Sequence, residues 1–326
     1  MKSSYGLSSK FRNELQQFVE LKKAFGYSYE AHKRTLKNFD NFCIMKNMDN
    51  GVLDRQLVSA WAVQSPTESI NTRNARVSVV RQFALYLNAK GCPAYLPPRL
   101  HSQPIAPPHI LSDEELIAFF AVVDAYVSPE RHLFQFSLVY PVIYRMLYCC
   151  GLRLAEACHL QCSSVNLETA ELTILESKGA KDRKLYMPED LRTLCISYDQ
   201  KMNDIQPCRK WFFPSLDPSK HVHKTNISGK FKEFWSYTPY AKTVDKRPTT
   251  HCLRHTFVVN RVNRWILEGE TLENWLPYLC KHLGHSRIAD TWYYYHMVEN
   301  ALPIFFRQDL IATKVIPEVR HENEIE

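Results

Sequence analysis

Two stretches near the C-terminus decide the fold: THCLRHTF at residues 250–257 and LPYLCKHLGHSRIADTWYYYH at residues 276–296. His251 and Arg254 stand three residues apart, so they share one face of a helix. The Leu-Gly pair before His285 is typical of a helix end. Three consecutive tyrosines follow. Arginine, histidine and tyrosine together favour attack of a phenolic oxygen on a phosphate, with cationic donors stabilising the charge that develops.

The size and composition indicate a globular protein of two domains. The chain has 326 residues, of which 45% are hydrophobic and 23% are charged, an ordinary balance for a folded protein. No apolar run approaches the roughly 20 residues of a membrane-spanning helix, and the N-terminus lacks the apolar core of a signal peptide. The ten cysteines are therefore expected to be reduced thiols of a cytoplasmic protein.

The excess positive charge is concentrated in the N-terminal third. Residues 1–92 contain 14 Lys and Arg against 7 Asp and Glu, whereas the remaining residues contain 27 of each sign, so this third carries the whole formal net charge of +7. Such a surface is either simply solvated or a binding site for a polyanion such as DNA.

Residues 1–92 are expected to form a small helical domain with a basic exterior. Apolar residues recur at helical spacing in four segments, 8–25, 29–45, 54–62 and 70–87. A proline-rich segment follows, CPAYLPPRLHSQPIAPPHI at residues 92–110. Because proline fixes φ and removes a backbone donor, residues 93–109 are predicted to be an extended linker.

Residues 110–326 are expected to form a mixed second domain. Ser112 or Asp113 caps a first helix, and a buried helix spans residues 134–150. Residues 172–177 and 183–188 are predicted to form a β-hairpin around the turn KGAKD. The chain is helical again from Thr250 and ends in a polar tail. The predicted fold class is mainly α with a small β-hairpin (α+β).

Five motifs in this domain together resemble the tyrosine recombinase/integrase family, and especially the integrases of transposons and integrative elements. They are GLRLAE (151–156), SKGAKDRK (177–184), HCLRHTF (251–257), LGHSRI (283–288) and WYYYH (292–296). The resemblance implies a site-specific recombinase that cleaves and rejoins DNA through a 3′-phosphotyrosyl intermediate, without metal, nucleotide or other cofactor. It also implies that the basic helical domain is a core-binding domain and that the two domains close as a C-shaped clamp on duplex DNA.

The resemblance also assigns roles to individual residues. Arg153 and Arg254 would hold the scissile phosphate, because a guanidinium can give two parallel hydrogen bonds to phosphate oxygens. Glu156 would orient Arg153. Lys178 would protonate the 5′-oxygen leaving group, with Lys181 and Lys184 as alternates. His251 would be the general acid/base, with His255 as its support, and His285 would donate to the phosphate. The nucleophile would be one of Tyr293, Tyr294 and Tyr295. The resemblance favours Tyr294, which lies nine residues after His285.

The expected partners are double-stranded DNA, further copies of the chain as a tetramer on two DNA sites, and an accessory DNA-bending protein. No membrane is expected, and the location would be cytoplasmic and nucleoid-associated. The phosphate contacts of the first domain and hairpin are assigned to Lys22, Lys23, Lys33, Lys37, Arg73, Arg76 and Lys181.

Three alternative functions are also considered for this sequence. A type IB topoisomerase shares the phosphotyrosine chemistry but only relaxes supercoils, as a monomer. A catalytically silent DNA-binding regulator could use the same fold, although the complete residue set argues against it. A zinc-dependent hydrolase could use His251 and His255 at i, i+4, but Cys252 stands where the metalloprotease motif has glutamate.

Overall fold

The computed structural model of the chain describes residues 6–27, 29–104, 106–175, 182–244, 246–285, 287–292 and 294. Within these ranges the chain is mainly helical with one small antiparallel sheet, which confirms the predicted fold class. The chain divides into two compact units, Met1–Ala106 and Pro107–Glu326.

The first unit is built from four helices, α1 (Arg12–Ala24), α2 (Glu30–Met45), α3 (Arg55–Ala62) and α4 (Ile70–Ala89). The side chain of Asp54 accepts a hydrogen bond from the Leu57 amide at the start of α3, at 2.8 Å, as expected for an N-cap. The helices enclose a core rich in aromatic rings, in which Phe18 and Phe83 have centroids 5.6 Å apart. The periodicity of the sequence therefore located these helices to within a few residues.

Much of the proline-rich segment packs on the first unit. The Tyr95 amide donates to the Leu53 carbonyl at 2.7 Å, and the Asn74 side chain donates to the His101 carbonyl at 2.7 Å. The Asn71 side-chain amide is hydrogen-bonded to both the amide and the carbonyl of Gln103. Asparagine side chains of α4 therefore satisfy backbone groups of the proline-rich segment. Up to Gln103, this segment is part of the first unit rather than a free spacer.

The second unit begins with α5 (Asp113–Asp124), whose N-terminus carries a capping box formed by Ser112 and Glu115. The helices that follow are α6 (Gln135–Cys149), α7 (Leu154–Cys158), α8 (Glu189–Ile205), α9 (Lys224–Ser236), α10 (Thr250–Leu267), α11 (Leu272–Leu283) and α12 (Ala289–Trp292). Helix α9 lies in a region where the sequence alone predicted no element. Its buried Phe231, Phe234 and Trp235 join the main core of the unit.

The sheet has three strands in sequential order, β1 (Val165–Asn166), β2 (Glu171–Ile174) and β3 (Arg183–Tyr186). Strand β1 was not predicted, because two residues are too few for a periodic pattern. In β3, Arg183 and Leu185 are buried, whereas Lys184 and Tyr186 are exposed. Ile174 pairs with Arg183 across the two long strands, so a charged side chain occupies an inward position of the sheet.

Candidate functional site

Arg153 and Glu156 form the first part of the site at the start of α7. The Glu156 carboxylate accepts hydrogen bonds from the Arg153 amide at 2.8 Å and from Arg153 Nη1 at 2.7 Å. Glu156 is buried, which raises its pKa, but its bonds to Arg183 and Arg153 outweigh burial and hold the pKa below its ordinary value. Glu156 therefore remains a carboxylate, and it binds both the backbone and the guanidinium of Arg153.

Arg254 lies on the inner face of α10 and is only 1% exposed. Its Nη1 donates to the Gly151 carbonyl at 2.6 Å. Gly151 has a φ of +61°, and a Cβ there would lie 2.5 Å from Cδ1 of Phe257 on α10, so glycine is required for α10 to come this close. Burial and the nearby charge of Arg153 lower the pKa of Arg254 to about 10, which leaves the guanidinium protonated at neutral pH.

The C-terminus of α11 is held by three arginines through three consecutive carbonyls. The His282 carbonyl accepts from Arg183 Nε at 2.7 Å, the Leu283 carbonyl from Arg254 Nη2 at 2.8 Å and the Gly284 carbonyl from Arg153 Nη2 at 2.9 Å. These carbonyls lack partners inside the helix and carry its negative dipole end, which favours cations. The end of α11 therefore brings both predicted phosphate-binding arginines to one place.

His285 follows this helix end directly and contacts Arg254. Gly284 adopts a left-handed conformation, and the His285 amide donates back to the Cys280 carbonyl at 3.0 Å, which confirms the predicted helix stop. His285 Nδ1 lies 2.9 Å from Thr291 Oγ1, and Thr291 Oγ1 lies 2.8 Å from Cys280 Sγ. Burial and the charge of Arg254 lower the pKa of His285 to about 4.

His251, His255 and Tyr294 form an aromatic group beside the arginines. The rings of His251 and His255 are 4.3 Å apart, and the His255 ring is 5.3 Å from that of Tyr294. Tyr294 is 4% exposed, and its ring lies nearly parallel to that of His285 at 6.4 Å. Burial and the neighbouring His251 lower the pKa of His255 to about 3. Partial burial and the charges of Arg254 and Arg153 also lower the pKa of His251.

Arg183 and Thr291 are two site residues that the sequence reasoning missed. Arg183 donates to both oxygens of Glu156, at 3.0 and 2.8 Å. The available signal was the alternation in β3, which places an arginine on the same face as buried Leu185. Thr291, which is 1% exposed, offered no signal, because nothing in the local sequence indicates that it meets His285.

Lys178 and Lys181 lie outside the described residues, as do Tyr293 and Tyr295. The alternate Lys184 is described: its Nζ pairs with Glu171 at 2.8 Å, and its side chain is 65% exposed. Because successive side chains of a strand point to opposite faces, Lys184 lies on the opposite face of β3 from Arg183. This placement does not favour Lys184 as a participant in the site.

The predicted DNA contacts of the first unit fall on described residues. Lys22, Lys33 and Arg73 are partly exposed, whereas Lys23 and Lys37 are exposed. Arg76 is engaged within the unit. Its Nε and Nη2 bind the Glu68 carboxylate at 2.7 and 2.8 Å. Nη1 also donates to the Trp61 carbonyl and Nη2 to the Val63 carbonyl. The guanidinium lies 4.8 Å from the Trp61 ring centroid.

The described ranges contain no group of three His, Cys, Asp or Glu side chains arranged to hold a metal ion. None of the helices described is both long and apolar enough to cross a membrane. All ten cysteines are free thiols.

Residues 134–300 match the phage integrase family. Among curated proteins, the chain is 27% identical over 297 residues to y4rB of Sinorhizobium fredii, an assumed integrase/recombinase; the match covers 88% of this chain and 92% of that protein. It is also 23% identical over 301 residues to the tyrosine recombinase XerD of Rhizobium meliloti, over 88% of this chain and 92% of that protein.

Solved structures share the fold. The XerH site-specific recombinase bound to palindromic difH substrate matches with a TM-score of 0.64 and 16% identity, over 91% of this chain and 87% of that chain. The Tn1549 transposon integrase in complex with transposon right end DNA also matches with a TM-score of 0.64, at 15% identity, over 90% of this chain and 98% of that chain.

Proposed function

The chain belongs to the phage integrase family, and from that premise we propose that Arg153, His251, Arg254, His285 and Tyr294 carry its chemistry. As a tyrosine site-specific recombinase, the chain cleaves and rejoins DNA strands through a 3′-phosphotyrosyl intermediate. The observation that carries the residue assignment is the convergence at the end of α11. There Arg153 and Arg254 bind adjacent carbonyls, and the Tyr294 ring lies parallel to His285.

Each proposed role follows from the chemistry of transesterification. The phenolic oxygen of Tyr294 attacks the phosphorus and the bond to the 5′-oxygen breaks, so the phosphate bond is exchanged rather than hydrolysed and no ATP is needed. Arg153 and Arg254 stabilise the negative charge on the non-bridging oxygens. His251 takes the phenolic proton, which suits a histidine whose pKa lies below its ordinary value. Attack by a 5′-hydroxyl then releases the tyrosine.

The test is formation of a covalent protein–DNA adduct on a nicked suicide substrate built from the DNA that flanks the gene. The Tyr294→Phe variant removes only the hydroxyl, so DNA binding should persist while the adduct disappears from a denaturing gel. Tyr293→Phe and Tyr295→Phe are matched controls and should still form the adduct. An adduct with Tyr294→Phe and none with one of the controls would move the nucleophile to that tyrosine.

Lys178 is proposed as the acid that protonates the leaving 5′-oxygen. Its support is Arg183 of β3, five residues after Lys178, which is bound to Glu156 within the site. A 5′-bridging sulfur leaves without protonation, so it should rescue Lys178→Ala but not Tyr294→Phe. Equal defects of Lys178→Ala on oxygen and sulfur substrates would move the role elsewhere, first to Lys181.

The first unit is proposed as a core-binding domain that makes mostly non-specific phosphate contacts. Lys22, Lys23, Lys33, Lys37 and Arg73 are the proposed contacts. The bonds of Arg76 to Glu68 and to two carbonyls favour a structural role for that residue instead. Each lost phosphate contact should reduce the slope of log affinity against log salt by roughly 0.9. Lys37→Gln should therefore reduce the slope, and a salt-insensitive affinity would contradict this assignment.

The remaining partners are proposed from the reaction itself. Recombination needs four strand exchanges, so four protomers should gather on two duplexes, with an accessory DNA-bending protein assisting and the assembly associated with the nucleoid. Leu302–Val315, LPIFFRQDLIATKV, has an apolar stripe that suits docking on a neighbouring protomer, although it lies outside the described residues. Truncation after Val298 should abolish the two-duplex complex on native gels while single-site binding persists. A complex that survives truncation would exclude this segment as the link.

A further inference from the structure

Arg183 contacts both Glu156 and the C-terminal end of α11, which hold the proposed phosphate-binding arginines. Its side chain is 5% exposed. Nη1 and Nη2 bind the two oxygens of Glu156 at 3.0 and 2.8 Å, and Nε donates to the His282 carbonyl at 2.7 Å. This planar, two-pronged geometry is one that arginine provides and lysine does not. A single buried side chain of β3 therefore joins α7 to the end of α11.

Both partners of Arg183 act on the proposed phosphate clamp. Glu156 holds the amide and Nη1 of Arg153, so the direction of the Arg153 guanidinium depends on where this carboxylate lies. The His282 carbonyl is followed by those of Leu283 and Gly284, which bind Arg254 and Arg153. A shift of either partner would therefore be transmitted to the two arginines.

We propose that Arg183 is a positioning residue of the recombinase site, which sets the orientation of Arg153 and the end of α11 without itself contacting the scissile phosphate. This inference rests on the proposed function of Arg153 and Arg254. Its charge also matters, because Glu156 is shared between Arg153 and Arg183. Without Arg183, the buried carboxylate loses its two-pronged partner. It then faces Arg153 and Arg254, whose Nη1 lies 4.0 Å from Glu156 Oε2, and its bonds to Arg153 must rearrange.

A matched pair of variants separates positioning from general stability. Arg209 is also a buried arginine, with a side chain 1% exposed that binds Asp199 and Asn203 of α8. Arg183→Lys and Arg209→Lys each replace a buried guanidinium with an ammonium, so both should lower the melting temperature. Only Arg183→Lys should slow single-turnover adduct formation at saturating DNA, by at least about tenfold. Its Kd for DNA should stay within about threefold of wild type, because phosphate contacts elsewhere dominate affinity.

The pH dependence provides a second readout, which loss of stability alone would not produce. Burial raises the pKa of Glu156 and the contact with Arg183 lowers it, so Arg183→Gln should raise it. Protonated Glu156 holds Arg153 less well. Adduct formation by Arg183→Gln should therefore increase with pH between about 5 and 8 more steeply than that of wild type or Arg209→Lys.

Each outcome decides the proposal. Adduct formation by Arg183→Lys within about threefold of Arg209→Lys would overturn it. So would a pH profile of Arg183→Gln that parallels wild type, or an Arg183→Lys protein that fails to fold under conditions where Arg209→Lys folds. A wild-type protein that forms no adduct would overturn the proposed residue assignment as well. Normal cleavage by wild type and by Arg183→Lys would overturn only the inference about Arg183.

Discussion

Arg254 and His285 contact each other: Nη2 of the arginine lies 3.1 Å from Nε2 of the histidine. A guanidinium has donors and no acceptor, so Nε2 must accept. Because the pKa of His285 is lowered to about 4, the ring is neutral at pH 7 and its single proton is on Nδ1, directed at Thr291 Oγ1 2.9 Å away. For His285 to donate from Nε2 to a phosphate, the contact between Nε2 and Arg254 must open and a proton must reach Nε2.

The first prediction concerns the hydroxyl of Thr291. Thr291→Val has nearly the same shape but leaves Nδ1–H of His285 without its acceptor. We expect a loss of about 1–3 kcal/mol in the free energy of unfolding, together with slower adduct formation, because the ring is no longer held. Thr291→Ser keeps the hydroxyl and should stay close to wild type. Urea denaturation and single-turnover cleavage measure the two effects, and equal behaviour of the two variants would contradict the role of the hydroxyl.

The second prediction concerns the guanidinium of Arg254. Arg254→Lys retains the charge but cannot bind two carbonyls and a phosphate at once. We expect the barrier to cleavage to rise by about 3 kcal/mol, as for loss of an oxyanion donor, and the same intolerance at Arg153. Arg145, which pairs with Asp124 at 2.6 Å, provides the control: Arg145→Lys should cleave normally. Near-normal cleavage by Arg254→Lys would exclude the clamp role.

The third prediction concerns the close approach of two guanidiniums to Gly284. A Cβ on Gly284 would lie 3.0 Å from Arg183 Nη1 and 3.3 Å from Arg153 Nη1, whereas a Cβ on Gly269 would meet no atom of the described part of the chain within 4 Å. Both glycines have positive φ, +64° and +76°, so each alanine substitution should cost about 1–2 kcal/mol in backbone strain. Only Gly284→Ala should also slow adduct formation, because it displaces the arginines. Equal cleavage by the two variants would contradict this reasoning.

The fourth prediction concerns acid stability. The pKa of His255 is lowered to about 3 by burial and by His251, whereas an unfolded histidine titrates near about 6.5. Between these values the unfolded chain binds a proton that the folded protein does not, so the free energy of unfolding decreases as pH falls. His255 Nδ1 is buried and has no hydrogen-bond partner among the residues that the structure describes, so His255→Phe should be tolerated.

The measurement is the urea midpoint at about pH 7.5 and at about pH 5. Between these two values His255→Phe should lose less stability than wild type. His132→Phe is the control, since the His132 side chain is 66% exposed, and it should lose as much as wild type. A wild-type loss equal to that of His255→Phe would show that His255 does not contribute to acid sensitivity.

The sequence by itself determined most of the helices and the order of the functional motifs. Three kinds of feature depend on neighbours within a few residues: the four helices of the first unit, the cap of α5, which the sequence placed at Ser112 or Asp113, and the helix stop at Gly284. Local periodicity and capping chemistry therefore predict them. The motifs that carry Arg153, His251, Arg254, His285 and Tyr294 are also local in sequence, so the resemblance found them without knowledge of their contacts.

Only the tertiary structure decided how these residues are held. The deciding contacts join segments that are far apart in the chain. They are the bonds of Arg153 and Arg254 to carbonyls at the end of α11, the bonds of Arg183 to Glu156, and the contact of Asn74 with His101. No periodic pattern encodes such pairs, because each depends on the packing of two independently formed elements. The same reason explains why β1, α9 and the contact of Thr291 with His285 were missed. Each depends on packing partners from other parts of the chain, which the neighbouring residues in the sequence do not specify.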